Sequence, residues 1–481
     1  MTTIEFSRPG ALAARLADTD ISTAEHLFLT KRVMLRLEEQ FAGTIPARET
    51  LILLANEILR FCPNIIIDVP AVACDLVGVL EQLAISIHGE SRIAPAAHLS
   101  GTPDAIVNVG TELRAMANWI TVNADGWVSR CAVFSGGATG PLPRAYKHPN
   151  PFGAFGAACL GAGQVLQALI GKPVLANPTE ISLYTLEQGT PGELNSGPEL
   201  PAVELDVLLV GCGGVANGWL YAIRRAPAAG RVEAVDHQRL RHENLGAYVC
   251  ATRSRLGQPK VQVAREELGP TFTVVPRPER FRFFRARFDY GQSYVPDLVI
   301  SALDKAGVRH QVQRLWAPTT VDLAAEGLTS QLIIKRRDDN GMCLLEAHTE
   351  PAGADAELAG LAAATGLSVE RLRDFESQIT EEDIAAAPVD KRSDLQEARR
   401  RRRPICGRVG DLDLNEEEYA SDFTPAVPFV TAFAGIVGAA QTLKANLEPL
   451  SSLHFQFSFS SYRSRALKMQ SAEACECAPT R

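Results

Sequence analysis

No apolar run in this chain is clean enough to cross a membrane. The two long small-residue stretches, Phe152 to Gly171 and Val427 to Leu443, are interrupted by Gln164 and Gln167 and by Thr431 and Gln441. Both read as tightly packed core helices. There is no excess of positive charge: 48 Lys and Arg against 56 Asp and Glu leave a net charge of -8, which argues against nucleic acid as the main partner. The basic run Arg399 to Arg403 is a local exception and reads as a solvated helix end. The ten cysteines lack the spacing of a disulfide framework, and nothing at the start has the charged, apolar and small-residue order of an export signal. The expectation is a cytoplasmic protein with reduced thiols, no membrane partner and no nucleic-acid partner. The histidines have no metal-ligand spacing and read as structural.

What is present is α/β order over a chain too long for one ordinary core. In the first half, Thr50 to Ala55, Ile65 to Val69 and Asp104 to Val109 read as buried strands with helical patterns between them, such as Ala71 to Ser86. Residues 172–204 read as a connection. Pro351 to Arg403 turn polar, Ala-rich and helical, with helices predicted over Leu361 to Phe375, broken near Gly366, and over Lys391 to Arg402. Ser452 to Phe459 alternates as a last strand. Phe152 to Leu169 and Val427 to Lys444 share one grammar, an early proline, a small-residue face and an amphipathic end, and each closes a half of the chain. A divergent internal duplication accounts for this.

The chemistry concentrates in the second half. Leu205 to Val210 reads as a buried strand entering a turn with Gly211, Gly213 and Gly214, where backbone N–H groups can meet phosphate oxygens without an intervening Cβ. Asp236, 25 residues after Gly211, ends the next strand where a ribose-binding carboxylate belongs. Lys260 follows Gly257-Gln-Pro and opens a helix, a point charge for a triphosphate. Asp304 ends the strand Leu298 to Leu303 on the ligand edge, suited to Mg²⁺, which keeps most of its waters. The first half has no glycine turn and thus no phosphate cradle.

Together, Gly211-Cys-Gly-Gly-Val-Ala216, Asp236, Asn244-Leu245, Gly257-Gln-Pro-Lys260, Asp304 and Arg309 resemble the ThiF/MoeB and ubiquitin-activating superfamily, over about residues 203–345 and 422–444. The resemblance implies two Rossmann-like adenylation folds in tandem, the first degenerate, with a helical insertion in the second. The expected divisions are 1–200 for the inactive domain, 201–350 for the ATP-binding domain, 351–421 for the insertion and crossover, and 422–481 for the C-terminal completion and tail. It implies ATP and Mg²⁺ as cofactors, with Asp236 on the ribose, Asn244 and Lys260 on the phosphates and Asp304 on the metal. Arg32, with Arg36 as fallback, would reach the phosphates from the inactive half. The internal pair of folds implies a monomer with a pseudo-dimer or a homodimer.

The implied activity is adenylation of the C-terminal carboxylate of a ubiquitin-like protein, capture as a thioester and passage to a conjugating enzyme, as in bacterial antiphage-defence operons. Cys406, after Arg400 to Arg403, is the expected nucleophile because cations favour the thiolate. Cys343 comes next and the tail pair Cys475 and Cys477 last. Two departures from the family stand out. Ala247 replaces a phosphate-contacting arginine, so that contact is either missing or supplied by Arg253 or Arg255, and the paired Cys-x-x-Cys zinc knuckles are absent. Two alternatives stay open: a ThiF/MoeB-like adenylase of sulfur-carrier or peptide modification without a thioester, and a non-catalytic scaffold that binds a ubiquitin fold.

Overall fold

The computed structural model describes residues 7–98, 101–134, 142–143, 145–172, 178–289, 294–348, 362–363, 365–372, 378–400 and 427–471. Two compact units divide the chain: residues 1–348 with 425–481, and residues 349–424.

Among its described residues the larger unit holds two sheets of eight strands. The first comprises β1 (Val33–Leu37), β2 (Ile65–Asp68), β3 (Ile93–Pro95), β4 (Ala105–Val109), β5 (Trp119–Asp125), β6 (Val128–Val133), β7 (Thr179–Ser182) and β8 (Gln188–Gly189). The second comprises β9 (Val203–Val210), β10 (Ala228–Val235), β11 (Phe272–Arg277), β12 (Leu298–Ser301), β13 (Thr319–Glu326), β14 (Thr329–Arg336), β15 (Leu453–Ser458) and β16 (Arg463–Leu467). Their orders, β3-β2-β1-β4-β5-β6-β7-β8 and β11-β10-β9-β12-β13-β14-β15-β16, match position for position. In each, the first five strands of the order are parallel and the last three antiparallel. Parallel neighbours need helical crossovers, and the order reverses beside β1 and β9. That opens a crevice at the carboxyl ends of β1 and β4 and of β9 and β12.

The helices of this unit include α1 (Ser7–Ala17), α2 (Ile21–Thr30), α3 (Ile45–Leu59), α4 (Asp75–His88), α5 (Phe152–Leu169), α6 (Gly214–Arg225), α7 (Lys260–Leu268), α8 (Phe281–Asp289), α9 (Ala306–Gln313) and α10 (Leu344–Ala347). Two sequence readings are corrected. Thr50 to Ala55 is not a strand but the middle of α3, a helix buried on almost every side. A short apolar run does not distinguish a buried strand from such a helix. The strand that precedes it is β1, and residues 172–204 carry β7 and β8 rather than a bare connection.

The Pro428–Lys444 helix is buried from Pro428 to Leu443, and α5 is buried almost throughout. Alpha-5 is the only helix among the described residues long and apolar enough to span a bilayer, and 94% of its apolar window lies inside the protein. The small residues act by letting backbones touch. A Cβ on Gly435 would strike the Val215 carbonyl, and one on Gly218 would lie 2.5 Å from the Ala432 carbonyl oxygen. One hydrophobic core runs through both halves, from Leu12 to Tyr462.

The described residues of the smaller unit are mainly helical. Val369–Leu372, Glu381–Ala386 and Arg392–Arg400 surround Leu367, Leu372, Ile379, Ile384, Leu395 and Ala398. Arg371 holds Asp383 through both carboxylate oxygens at 2.7 and 2.9 Å.

Candidate functional site

Beta-9 delivers the chain to Gly211, whose φ of +87° favours glycine and whose Cβ would lie 2.5 Å from the Ala302 carbonyl oxygen. Alpha-6 begins at Gly214, so its first N–H groups open onto the turn. Asp236, one residue past β10, braces this turn: its Oδ2 accepts from the Cys212 amide at 2.8 Å and its Oδ1 from the Gln238 amide at 2.7 Å. A carboxylate has lone pairs to spare beyond these two bonds, so it can still accept from a ribose hydroxyl.

Lys260 is the first residue of α7 and only 5% exposed. Its ammonium donates to Gln238 Oε1, sits 3.4 Å from the Tyr248 hydroxyl and lies 5.3 Å from that ring's centre. Tyr248 also flanks the glycine turn, since a Cβ on Gly214 would come within 3.1 Å of its ring. Asn244, in the 3-10 turn His242–Gly246, is buried and accepts from the Arg241 amide at 2.9 Å. Alpha-1 packs on this turn. The structure therefore brings Gly211, Gly213, Gly214, Asp236, Asn244 and Lys260 to one end of the second sheet, and adds Tyr248 and Gln238.

Asp304 follows β12 at the same edge. It is exposed, with no hydrogen bond or ion pair to any described residue. One free carboxylate suits Mg²⁺ carried by nucleotide phosphates, and no cluster of three or more His, Cys, Asp or Glu that could hold a metal occurs among the described residues. Behind it, Arg309 is 4% exposed and anchors the strand ends by donating to Asp322 and the Leu303 carbonyl. Burial works against the Asp322 charge, but the Arg309 guanidinium and a 2.8 Å bond from His348 hold its carboxyl below the usual range.

The substitutes for Ala247 do not hold up. Arg253 donates to the His88 carbonyl at 3.1 Å; Arg255 donates to the Cys250 carbonyl at 2.8 Å and pairs with Glu267 at 3.0 Å. Both guanidiniums are committed elsewhere, while Ala247 packs among Leu240, Leu245, Tyr248 and Val263. Arg32 stands at the entry of β1, its amide held by Asp104 at 2.9 Å and its guanidinium 3.4 Å from the Thr102 carbonyl. Arg36 pairs with Glu112 and Asp68 at the other end of that strand.

The first half differs at one decisive position. Leu37 pairs with Val109 and Val210 with Ser301, so Glu38 stands where the second half has Gly211. The Glu38 carboxylate fills the turn, accepting from the Thr111 and Glu112 amides at 2.7 Å, from Asn108 at 2.7 Å and from Gln40 at 2.8 Å. Gly110, the counterpart of Ala302, gives it room. An anion already sits in this cradle, and it belongs to the protein.

The ThiF family matches residues 202–478. The chain belongs to the ThiF family. The uncharacterized protein y4jF of Sinorhizobium fredii (strain NBRC 101917 / NGR234) is 26% identical over 324 residues, 65% of this chain and 60% of that one. This ThiF-family chain thus spans about 60% of the length of that relative. Similar solved structures include E. coli MccB with ATP, at 13% identity, covering 58% of this chain and 66% of that one, with a TM-score of 0.35. The microcin C7 biosynthetic enzyme MccB in complex with N-formylated MccA has 13% identity, coverage of 58% and 67%, and a TM-score of 0.34.

These findings correct the expected pathway. The partner named in several of these similar structures is MccA, and not the expected ubiquitin-like protein or conjugating enzyme. Thioester transfer in an antiphage conjugation system is therefore withdrawn. Cys343, the second candidate nucleophile, is fully buried. Burial pushes Cys62 up to about 12 and raises Cys131, Cys159, Cys212 and Cys250 as well. Cys406, Cys475 and Cys477 lie outside the described residues.

Proposed function

We propose that this ThiF-family chain is an ATP-dependent adenylase of the sulfur-carrier or peptide-modifying kind, working without a thioester on its own cysteine. The supporting observation is the contrast between the cradles. The turn at Gly211 is braced by Asp236 and faces the Lys260 ammonium, while its counterpart is plugged by Glu38. On this reading the halves are divergent copies, with residues 1–200 as the degenerate domain, residues 201–350 and 422–481 as the active one, and residues 351–421 as an insertion.

In this site the amides at Gly213 and Gly214 and the Asn244 and Lys260 side chains would hold the phosphates. Asp236 would take the ribose, and Arg32 would approach from the first half. Asp304 would hold Mg²⁺, which supplies charge neutralisation on the phosphates. A substrate carboxylate oxygen attacks the α-phosphorus, forming the acyl–O–P bond as the bond to pyrophosphate breaks. Lys260, largely removed from water, is worth more to that developing charge than an exposed lysine would be.

The test is calorimetric titration of the whole protein with ATP and Mg²⁺. Wild type should bind, Lys260→Ala and Asp236→Asn should lose about tenfold or more, and Asp304→Asn should lose the Mg²⁺ dependence. A wild-type protein that binds no ATP overturns the proposal and favours a non-catalytic scaffold.

A further inference from the structure

Alpha-3 is capped by Arg60, a guanidinium from the first half that is 1% exposed yet makes no bond to a carboxylate among the described residues. It donates instead to backbone carbonyls of the second half: Leu245, Val249 at 2.9 Å and Ala251 at 3.2 Å. Asn56, one turn earlier, is 4% exposed; it accepts from Arg60 at 2.8 and 3.1 Å and donates to the Val249 carbonyl at 2.9 Å. The segment gripped in this way starts directly after Asn244 and contains Tyr248, the ring that lies between Gly214 and Lys260.

A guanidinium presents five donors in a fixed plane. Spending them on loop carbonyls fixes the path of a segment that has no regular secondary structure after Gly246. Buried carbonyls deprived of such donors are costly, so the loop is held in one course as long as the first half is docked. Thr431 donates to the Ala247 carbonyl at 3.1 Å and Arg255 to the Cys250 carbonyl at 2.8 Å, and the first half contributes the bonds from Asn56 and Arg60.

We propose that Arg60, with Asn56, is a positioning residue through which the first half sets the geometry of the phosphate end of the nucleotide site. This inference rests on the ATP-binding reading above. It gives the degenerate half a task that its filled cradle does not: holding Asn244 and Tyr248 in place against the glycine turn and Lys260.

The experiment titrates wild type, Arg60→Met, Arg60→Lys and Asn56→Ala with ATP–Mg²⁺ and, separately, with adenosine, alongside hydrogen exchange of residues 244–251. Arg60→Met should lose ATP affinity by about tenfold or more, while adenosine affinity stays within about twofold. The amides of Ala247, Tyr248 and Ala251, bonded within the loop, should exchange faster. Arg60→Lys should recover part of the loss. If Arg60→Met does not fold, Asn56→Ala, which removes one donor from the Val249 carbonyl, must show the same selective loss at smaller size. Equal losses for ATP and adenosine, or unchanged ATP binding in a folded variant, overturn the positioning role while leaving the ATP site standing. A wild type that binds adenosine and ATP equally removes both.

Discussion

Glu57 should make this protein less stable as the pH rises through neutrality. It lies in α3, 0% exposed, where its Oε1 accepts from the Cys159 thiol at 3.0 Å and its Oε2 has no partner. Burial drives its pKa from 4.5 up to about 8, against the opposing pull of the Cys159 bond and the Arg60 charge. Between those two values the folded chain keeps a proton that the unfolded chain has released. The carboxyl's contribution is complete below pH 4.5 and is lost as the pH climbs to about 8. Each pH unit in that window costs about 1.4 kcal/mol, so at pH 8 the upper limit is about 4 kcal/mol. Glu57→Gln keeps a carbonyl for the Cys159 thiol and never ionises. Thermal and urea unfolding from pH 5 to 9 should therefore show the two proteins close together at pH 5 and diverging above it, with the variant ahead at pH 8. Parallel curves over the whole range would refute the assignment of a neutral, buried Glu57.

Glu38 should behave with the opposite sign. Burial acts against its charge, but bonds from Asn108, the Glu112 amide, Gln40 and the Thr111 amide hold its carboxyl below the usual range. Its stabilisation is thus present above about pH 4.5 and lost as the pH falls. Glu38→Gln turns one acceptor into a donor facing donors and should cost about 1–3 kcal/mol at pH 7, a gap that closes in acid, with ATP binding unchanged by calorimetry. Gly435→Ala should lower the free energy of unfolding by at least about 1–3 kcal/mol, because its Cβ collides with backbone of α6; an unchanged unfolding free energy would mean that the two helices are not in contact at Val215. Arg309→Met should cost about 3–5 kcal/mol by leaving the Asp322 carboxylate buried without its main partner, and Asp322→Asn in the same chain should recover part of that loss in chemical denaturation.

The residues that the sequence marked were those whose type is bound to an element end. Gly211, Asp236, Lys260 and Asp304 each sit within a few residues of a strand or helix terminus, where glycine, carboxylate and ammonium have local reasons to occur. The β15 strand was legible because its apolar residues alternate with the period of a strand, and β12 because a short continuous apolar run ends at Asp304. What depended on distant pairing was not legible. Thr50 to Ala55 became a helix because both of its sides are covered by protein, a fact set by α5 and β1 rather than by the run itself. Tyr248 reads as one more loop aromatic until the fold places its ring against Gly214.

The missing arginine at Ala247 shows where motif spacing stops being informative. Arg253 and Arg255 have the right charge at nearly the right sequence distance, yet one is spent on the His88 carbonyl and the other on Glu267. Sequence distance constrains where a side chain starts, and a six-bond arginine can end on either side of its loop. The loop's course is decided by Arg60, 185 residues before Leu245, through bonds to carbonyls that every residue type possesses. A contact made to backbone leaves no signature in the partner's side chains, so no reading of residues 244–255 could have revealed it. By the same reasoning a first half whose turn is filled by Glu38 can still matter to the second. The filled turn lies at the carboxyl end of β1, whereas the grip on the Leu245 to Ala251 loop comes from the end of α3 that leads into β2, at the opposite end of the same sheet.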